Sequence, residues 1–159
     1  MRTISLLISA TALSLLLLPA TGAQAERNTL GPHLGFNFDA DRPFVGAEGR
    51  FDVAAIGQNV NVQLNPSASI YFVHNVNLFD FSFNVPFEFK IQDSVLRPFA
   101  APGLGFFAWT GGRGGVDVKL NLIGGLLFHL QALEPFIQLR LAIGGGATAE
   151  LMGGLLFRL

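Results

Sequence analysis

The sequence predicts an all-β chain: an eight-stranded antiparallel up-and-down transmembrane β-barrel, preceded by a cleavable signal peptide. Three observations predict it. Half of the 159 residues are hydrophobic and only 13% are charged, against roughly 25% charged in an ordinary soluble domain. Beyond residue 25 no apolar run approaches the about 20 residues of a membrane-spanning helix. Apolar and polar residues instead alternate, which is the period of a strand with one greasy face. An exported chain of this polarity satisfies its backbone in lipid by closing a sheet on itself.

The first residues read as a secretory signal. Arg2 supplies the positive start, and Ile4 to Pro19 is an apolar stretch centred on Leu15–Leu18. Ala23-Gln24-Ala25 then fits the small-x-small cleavage rule. The reading divides the chain into a signal peptide, 1–25, and a barrel domain, 26–159. A retained N-terminal anchor is the alternative. Loss of Arg2 leaves nine basic against eleven acidic residues, a net charge of −2. No basic patch points to nucleic acid. With no cysteine, the chain has neither disulfides nor thiolate metal sites to stabilise it.

The alternation is clearest from Phe79 to Ile91. Phe79, Phe81, Phe83, Val85, Phe87, Phe89 and Ile91 share one face, and Asp80, Ser82, Asn84, Pro86, Glu88 and Lys90 the other. No amphipathic helix has that period. The same pattern marks Leu30–Phe38, Val45–Val53, Val60–Ile70, Val116–Leu130, Leu133–Ile143 and Ala149–Leu159. Leu96–Trp109 is apolar on both parities and rich in glycine; it completes eight strands, with its facing open. An even count with both ends on one side is the rule for bacterial barrels. Turn residues separate the strands: Asp39–Pro43, Ile56–Asn59, His74–Asn77, Gln92–Ser94, Thr110–Gly115, Gln131-Ala132 and Gly144–Gly146. All are short, which argues against a large recognition surface. Pro66, Pro86, Pro98, Pro102 and Pro135 fall inside these strands, where each deletes a ladder donor; bulges or strand ends must absorb them.

Period two does not say which face is outside. A soluble lipocalin-like barrel would hide the apolar face. The polar face here is thin in charge, and its acids and bases balance, as a closed interior requires. The expected lumen network is Glu48, Arg50, Asp52, Asp80, Glu88, Lys90, Asp117, Lys119, Glu134, Arg140, Glu150 and Arg158. An eight-stranded barrel is just wide enough for side chains. Pairing across the lumen would plug it; Gly103, Gly105, Gly125 and Gly154 would leave a narrow path if they face in.

The C-terminus, with Leu155, Phe157 and Leu159 at alternate positions, resembles the assembly signal of bacterial outer-membrane barrels, although these usually end in Phe. The segments "RPFAAPGLGFF", "LNLIGGLLFHL", "EPFIQLRLAIGG" and "GGLLFRL" resemble the outer-membrane β-barrel domain family of OmpA/OmpX and opacity-type proteins. The resemblance implies location in the bacterial outer membrane, contact with its lipid, insertion by the barrel-assembly machinery and often no known activity. Such barrels carry Tyr and Trp at both interfaces. This chain has one of each, Tyr71 and Trp109, beside sixteen Phe; both are expected at the outer interface.

No active site is legible. Barrels that deacylate lipid A resemble a His-x-Ser pair on one strand face, and none of His33, His74 and His129 has Ser two residues on. Ser82, His129 and Glu88 are one imaginable triad from separate strands; His33 and His129 read better as interior hydrogen-bonding groups. No metal-ligand spacing occurs, and Asp39-Ala40-Asp41 reads as an acidic turn. Gly111–Gly115 lacks the Lys-Ser/Thr and helix of a phosphate cradle. No catalytic, cofactor or metal residue and no obligate protein partner is expected. The functions rank as a structural or envelope-integrity barrel, then a narrow porin-like channel or small-ligand carrier, then a lipid A-modifying enzyme, with the soluble lipocalin-like barrel last.

Overall fold

The computed structural model describes residues 27–73, 76–110 and 114–159. The signal-peptide reading of 1–25 and His74 lie outside the described residues.

Among the described residues nine strand segments follow one another: β1 (Asn28–Asn37), β2 (Arg42–Ile56), β3 (Val60–Val73), β4 (Val76–Asn84), β5 (Phe87–Phe89), β6 (Leu96–Thr110), β7 (Gly115–Phe128), β8 (Leu133–Ile143) and β9 (Ala147–Arg158). Successive strands pair antiparallel, except that β4 and β5 each pair with β3 and β6 and not with one another, and β1 pairs with β9, for example Leu34↔Gly153 and Leu30↔Phe157. The sheet is therefore closed. Segments β4 and β5 form one stave, because β3 keeps a single register along both, Asn65↔Asn84 and Val62↔Phe87. Eight staves make the barrel.

The interrupted stave is where the structure departs from the unbroken Phe79–Ile91 strand. Pro86 and Pro102 fall in the same gap between β4/β5 and β6. The neighbouring groups still pair: Val85 N–H donates to Pro102 O and Gln63 N–H to Pro86 O, each at 2.9 Å. Pro66 is handled differently. The β2–β3 ladder lapses between Glu48↔Ser67 and Phe51↔Leu64 in unchanged register, and the register shifts only later, between Asp52 and Ala54. In the lapse the Asn65 amide donates to Gly49 O at 2.8 Å, a side-chain bond where proline supplies no N–H. Pro98 and Pro135 stay in register, opposite Leu126 and Leu155.

The turns take the residues that tolerate them. Gly57, Asp41 and Asp93 sit at φ 61°, 52° and 57°, left-handed values that Gly and Asp adopt most cheaply.

The polarity is inside out. Leu34 is 68% exposed, Phe83 54% and Phe81 51%, whereas Arg50 and Glu150 are 0% exposed and Arg140 1%. The outer wall is a continuous coat of Leu, Ile, Val and Phe from all eight staves. The lipocalin-like alternative requires the reverse and is overturned. The open facing of β6 resolves by parity: Phe99, Ala101, Gly105 and Phe107 are buried in the lumen, and Ala100, Pro102, Leu104 and Phe106 face out.

The closing seam has no spare room. A Cβ on Gly31 would overlap the carbonyl oxygen of Leu155 on β9. Gly31→Ala is expected to push β1 and β9 apart and to destabilise the barrel by about 1–3 kcal/mol. Urea unfolding followed by the fluorescence of Trp109, the single tryptophan, measures this; an unchanged midpoint would show that the seam is not tight.

Candidate functional site

Strand alternation sends every second side chain of eight staves into one tube. At the end where β1 begins and β9 finishes, Glu88 from β5 and Glu134 from β8 are fully buried. Arg27, just before β1, pairs with Glu88 and lies 3.5 Å from Glu134. Arg97 from β6 donates to Glu88 at 2.8 Å. Arg158 from β9 donates to Glu134 at 3.2 Å, and His129 sits 2.9 Å from the same carboxylate.

Further in, the Arg50 guanidinium lies between two rings, 4.2 Å from the centre of Phe99 and 5.0 Å from that of Phe136. It donates to Glu48 at 3.0 Å and to Gln138 at 3.1 Å. Beyond it, Arg140 takes two carboxylates at once: Asp80 at 2.5 Å, and Glu150. Its other contacts are the Ser82 and Tyr71 hydroxyls, at 3.1 and 2.8 Å. Tyr71 in turn donates to Glu150 at 2.7 Å, and so does the Asn37 amide. Asn65, Asn84, Asn121 and Ser82 form a row of amides and hydroxyls across the barrel. Toward the far end, Lys119 stands 4.4 Å over the Phe107 ring.

Of the twelve residues expected in the lumen, Glu48, Arg50, Asp80, Glu88, Glu134, Arg140 and Glu150 are buried inside it. Asp52 is half-buried and accepts from Gln63 at 2.7 Å. Arg158 is partly exposed at the rim, and Lys90, Asp117 and Lys119 are half-buried on the same parity. Tyr71 corrects an expectation. It is 2% exposed and stacks on Phe44 at 4.8 Å, inside the barrel rather than at an outer interface. Its hydroxyl finds charged partners there that an interface would replace with water. Trp109 is half-buried on the lumenal parity of Phe107. Leu155, Phe157 and Leu159 are exposed on the outer wall.

The lumen is less polar than expected. Phe44, Phe99, Phe107, Phe136, Ile123, Leu127, Met152 and Leu156 are buried in it beside the charges. Glycines make room for the rings, because a Cβ on Gly125 or Gly154 would come within 2.6 Å of Phe99 or Phe136. These inward glycines therefore do not outline an open path. Sequence reasoning missed Arg27, which precedes the first expected strand, and Arg97, on the strand of open facing.

The imagined triad does not assemble. Ser82 belongs to the Arg140 cluster, while Glu88 and His129 lie in the terminal one. A different trio comes together: His33 Nε2 is 2.9 Å from Ser69 Oγ, and His33 Nδ1 is 3.7 Å from Glu48. The carboxylate distance is too long for a hydrogen bond, and Glu48 is engaged by Arg50. Both His33 and Ser69 are 4% exposed. The pair ties β1 to β3 across Gly46, where a Cβ would strike His33 Nε2. An apolar groove of about 760 Å³ runs past Leu34, Val45, Ile70 and Phe81, and His33, Gly46 and Ser69 also line it.

Fold and lumen together define a class: a closed eight-stranded barrel with an apolar coat and a charged, packed interior. Solved structures share this fold. The N-terminal β-barrel domain of Pseudomonas aeruginosa OprF superposes with a TM-score of 0.70 at 16% identity, over 84% of this chain and 97% of that one. Neisserial surface protein A gives 0.64 at 12%, over 87% and 99%. The outer membrane enzyme PagL gives 0.54 at 12%, over 82% and 98%. No family model matches the sequence, and no curated protein does.

Arg140 holds the centre of the lumen. Arg140→Met leaves Asp80 and Glu150 buried without their cation and is expected to cost roughly 3–5 kcal/mol. Tyr71→Phe, which removes one hydroxyl between two charged groups, is expected to cost about 1–3 kcal/mol. Denaturant midpoints of both variants and of the double variant test the coupling. Additive losses would contradict a shared network.

Proposed function

We propose that the protein is an integral outer-membrane barrel of structural, envelope-integrity type. On this reading residues 1–25 direct export, Leu155, Phe157 and Leu159 present the assembly signal to the barrel-assembly machinery, and the apolar coat meets outer-membrane lipid. The observation that carries the reading is the pairing of that coat with a lumen filled by side chains. Loops are short, so little surface stands above the barrel for a partner. The outer-membrane barrels that share the fold support the location.

A porin-like channel is disfavoured by the Arg50 and Arg140 clusters, which cross the lumen, and by the rings that occupy the space over Gly125 and Gly154. A lipid-modifying enzyme has one specific observation in its favour, the His33–Ser69 pair. Ser69 and His33 also line the apolar groove, but both are 4% exposed, and the acid nearest His33 is bound to arginine.

The protein is expected to fractionate with outer membranes and to migrate faster on gels unheated than boiled. Recovery from the soluble periplasm without a shift would defeat the proposal. In planar bilayers the barrel is expected to give no stepwise conductance; discrete steps would favour the channel. Lipid A mass spectra of cells expressing the protein or Ser69→Ala are expected to match those of cells without it. An altered acyl pattern that Ser69→Ala abolishes would favour the enzyme.

A further inference from the structure

The cluster at the terminal end does something the deeper clusters do not. It ties down a residue outside the sheet. Arg27 has no place in the ladder beyond one long bond, its carbonyl accepting from Asp52 N–H at 3.4 Å. Yet its side chain is only 9% exposed, because the guanidinium reaches into the mouth between Glu88 and Glu134. The chain entering β1 is thus held across the opening by ion pairs rather than by strand pairing.

His129, in the β7–β8 turn, controls the balance of that cluster. The charged groups that act on it are Arg27 before β1, Arg97 on β6, Glu134 on β8 and Arg158 on β9, and Glu88 on β5 and Asp52 on β2 act in turn on Arg27. Three guanidinium groups meet three carboxylates, so the set is neutral only while the imidazole is neutral. The hydrogen bonds require the same state. Nδ1 lies 2.9 Å from Glu134 Oε1, 3.2 Å from Arg27 Nη1 and 3.3 Å from Arg158 Nη2, and Nε2 lies 2.8 Å from Arg158 Nη2. A carboxylate only accepts and a guanidinium only donates. Nε2, which faces only the Arg158 guanidinium, therefore accepts, which leaves the single ring proton of the neutral imidazole on Nδ1, beside Glu134. A second ring proton would turn Nε2 into a donor facing a donor and place a fourth positive charge beside three.

We propose that this cluster is a proton-operated latch: the neutral His129 keeps Arg158 and Arg27 seated on Glu134 and Glu88, and its protonation releases the N-terminal edge of the barrel from the mouth. Burial, then the positive charge of Arg97 and the other arginines, holds the docked ring below its ordinary value of 6.5. The sign follows. The released ring takes up a proton more readily than the docked one, so the latch is full above about pH 6.5 and weakens as pH falls through that value. Closure deeper in the barrel does not change, because the Arg50 and Arg140 clusters contain no part of this set.

The absence of cysteine allows one nitroxide to be placed on Asn28→Cys, next to the latch. In lipid nanodiscs the label is expected to be immobilised at about pH 8 and mobile at about pH 5.5. With His129→Gln, whose amide can still donate to Glu134 and accept from Arg158, it is expected to stay immobilised at both. With Arg27→Gln it is expected to be mobile at both. The heat-dependent gel shift of each variant shows that the barrel itself has folded. A label that does not respond to pH in the parent overturns the latch. So does a response that survives in His129→Gln at the same midpoint, or an immobilised label in Arg27→Gln.

Discussion

A sheet that is greasy over its whole outer surface cannot leave an edge open. In lipid each unpaired N–H or C=O costs several kcal/mol, so the pairing of β1 with β9 is the constraint on which the rest of the molecule depends. Closure with eight staves fixes a narrow tube, and a narrow tube must be filled. The filling comes from every second residue of every strand. That is why the polar parity of this sequence carries matched acids and bases rather than the dense mixed charge of a wetted surface.

Burying arginine in such a tube is expensive unless its donors are used, and the two central arginines show two ways of using them. Arg140 is neutralised by Asp80 and Glu150 and by the hydroxyls between them. Arg50 has one carboxylate, Glu48, and lies between the faces of Phe99 and Phe136, where ring electrons supply the remaining attraction. Those rings fit because Gly125 and Gly154 on the neighbouring staves have no side chains. Charge, ring and glycine are thus one packing solution, and none of the three is explained alone.

The fold was legible because each strand announces itself locally. Phe79 to Ile91 shows its period without reference to any other segment, and Leu133–Ile143 has the same bounds in sequence and structure. What was not legible is what depends on neighbours across the tube. Leu96–Trp109 has apolar residues on both parities because Phe99 and Phe107 fill the lumen while Leu104 and Phe106 coat the wall; only the partner strands separate them. The position of Tyr71 near a strand end suggests an interface, whereas its parity with Asn65 and Ser69 marks the inner face. Arg27 lies outside any alternating run, so no strand period could enlist it.

Relaxation probes in a nanodisc distinguish lipid outside and fixed charge inside from the reverse arrangement. A nitroxide on the lipid chains is expected to broaden the methyl signals of Leu122, Leu139 and Leu151, whereas a water-soluble gadolinium chelate is expected to leave them sharp. The Nε–H signals of Arg50 and Arg140 should be spared by both probes. Broadening of those methyl groups by the chelate and not by the lipid nitroxide would contradict the account.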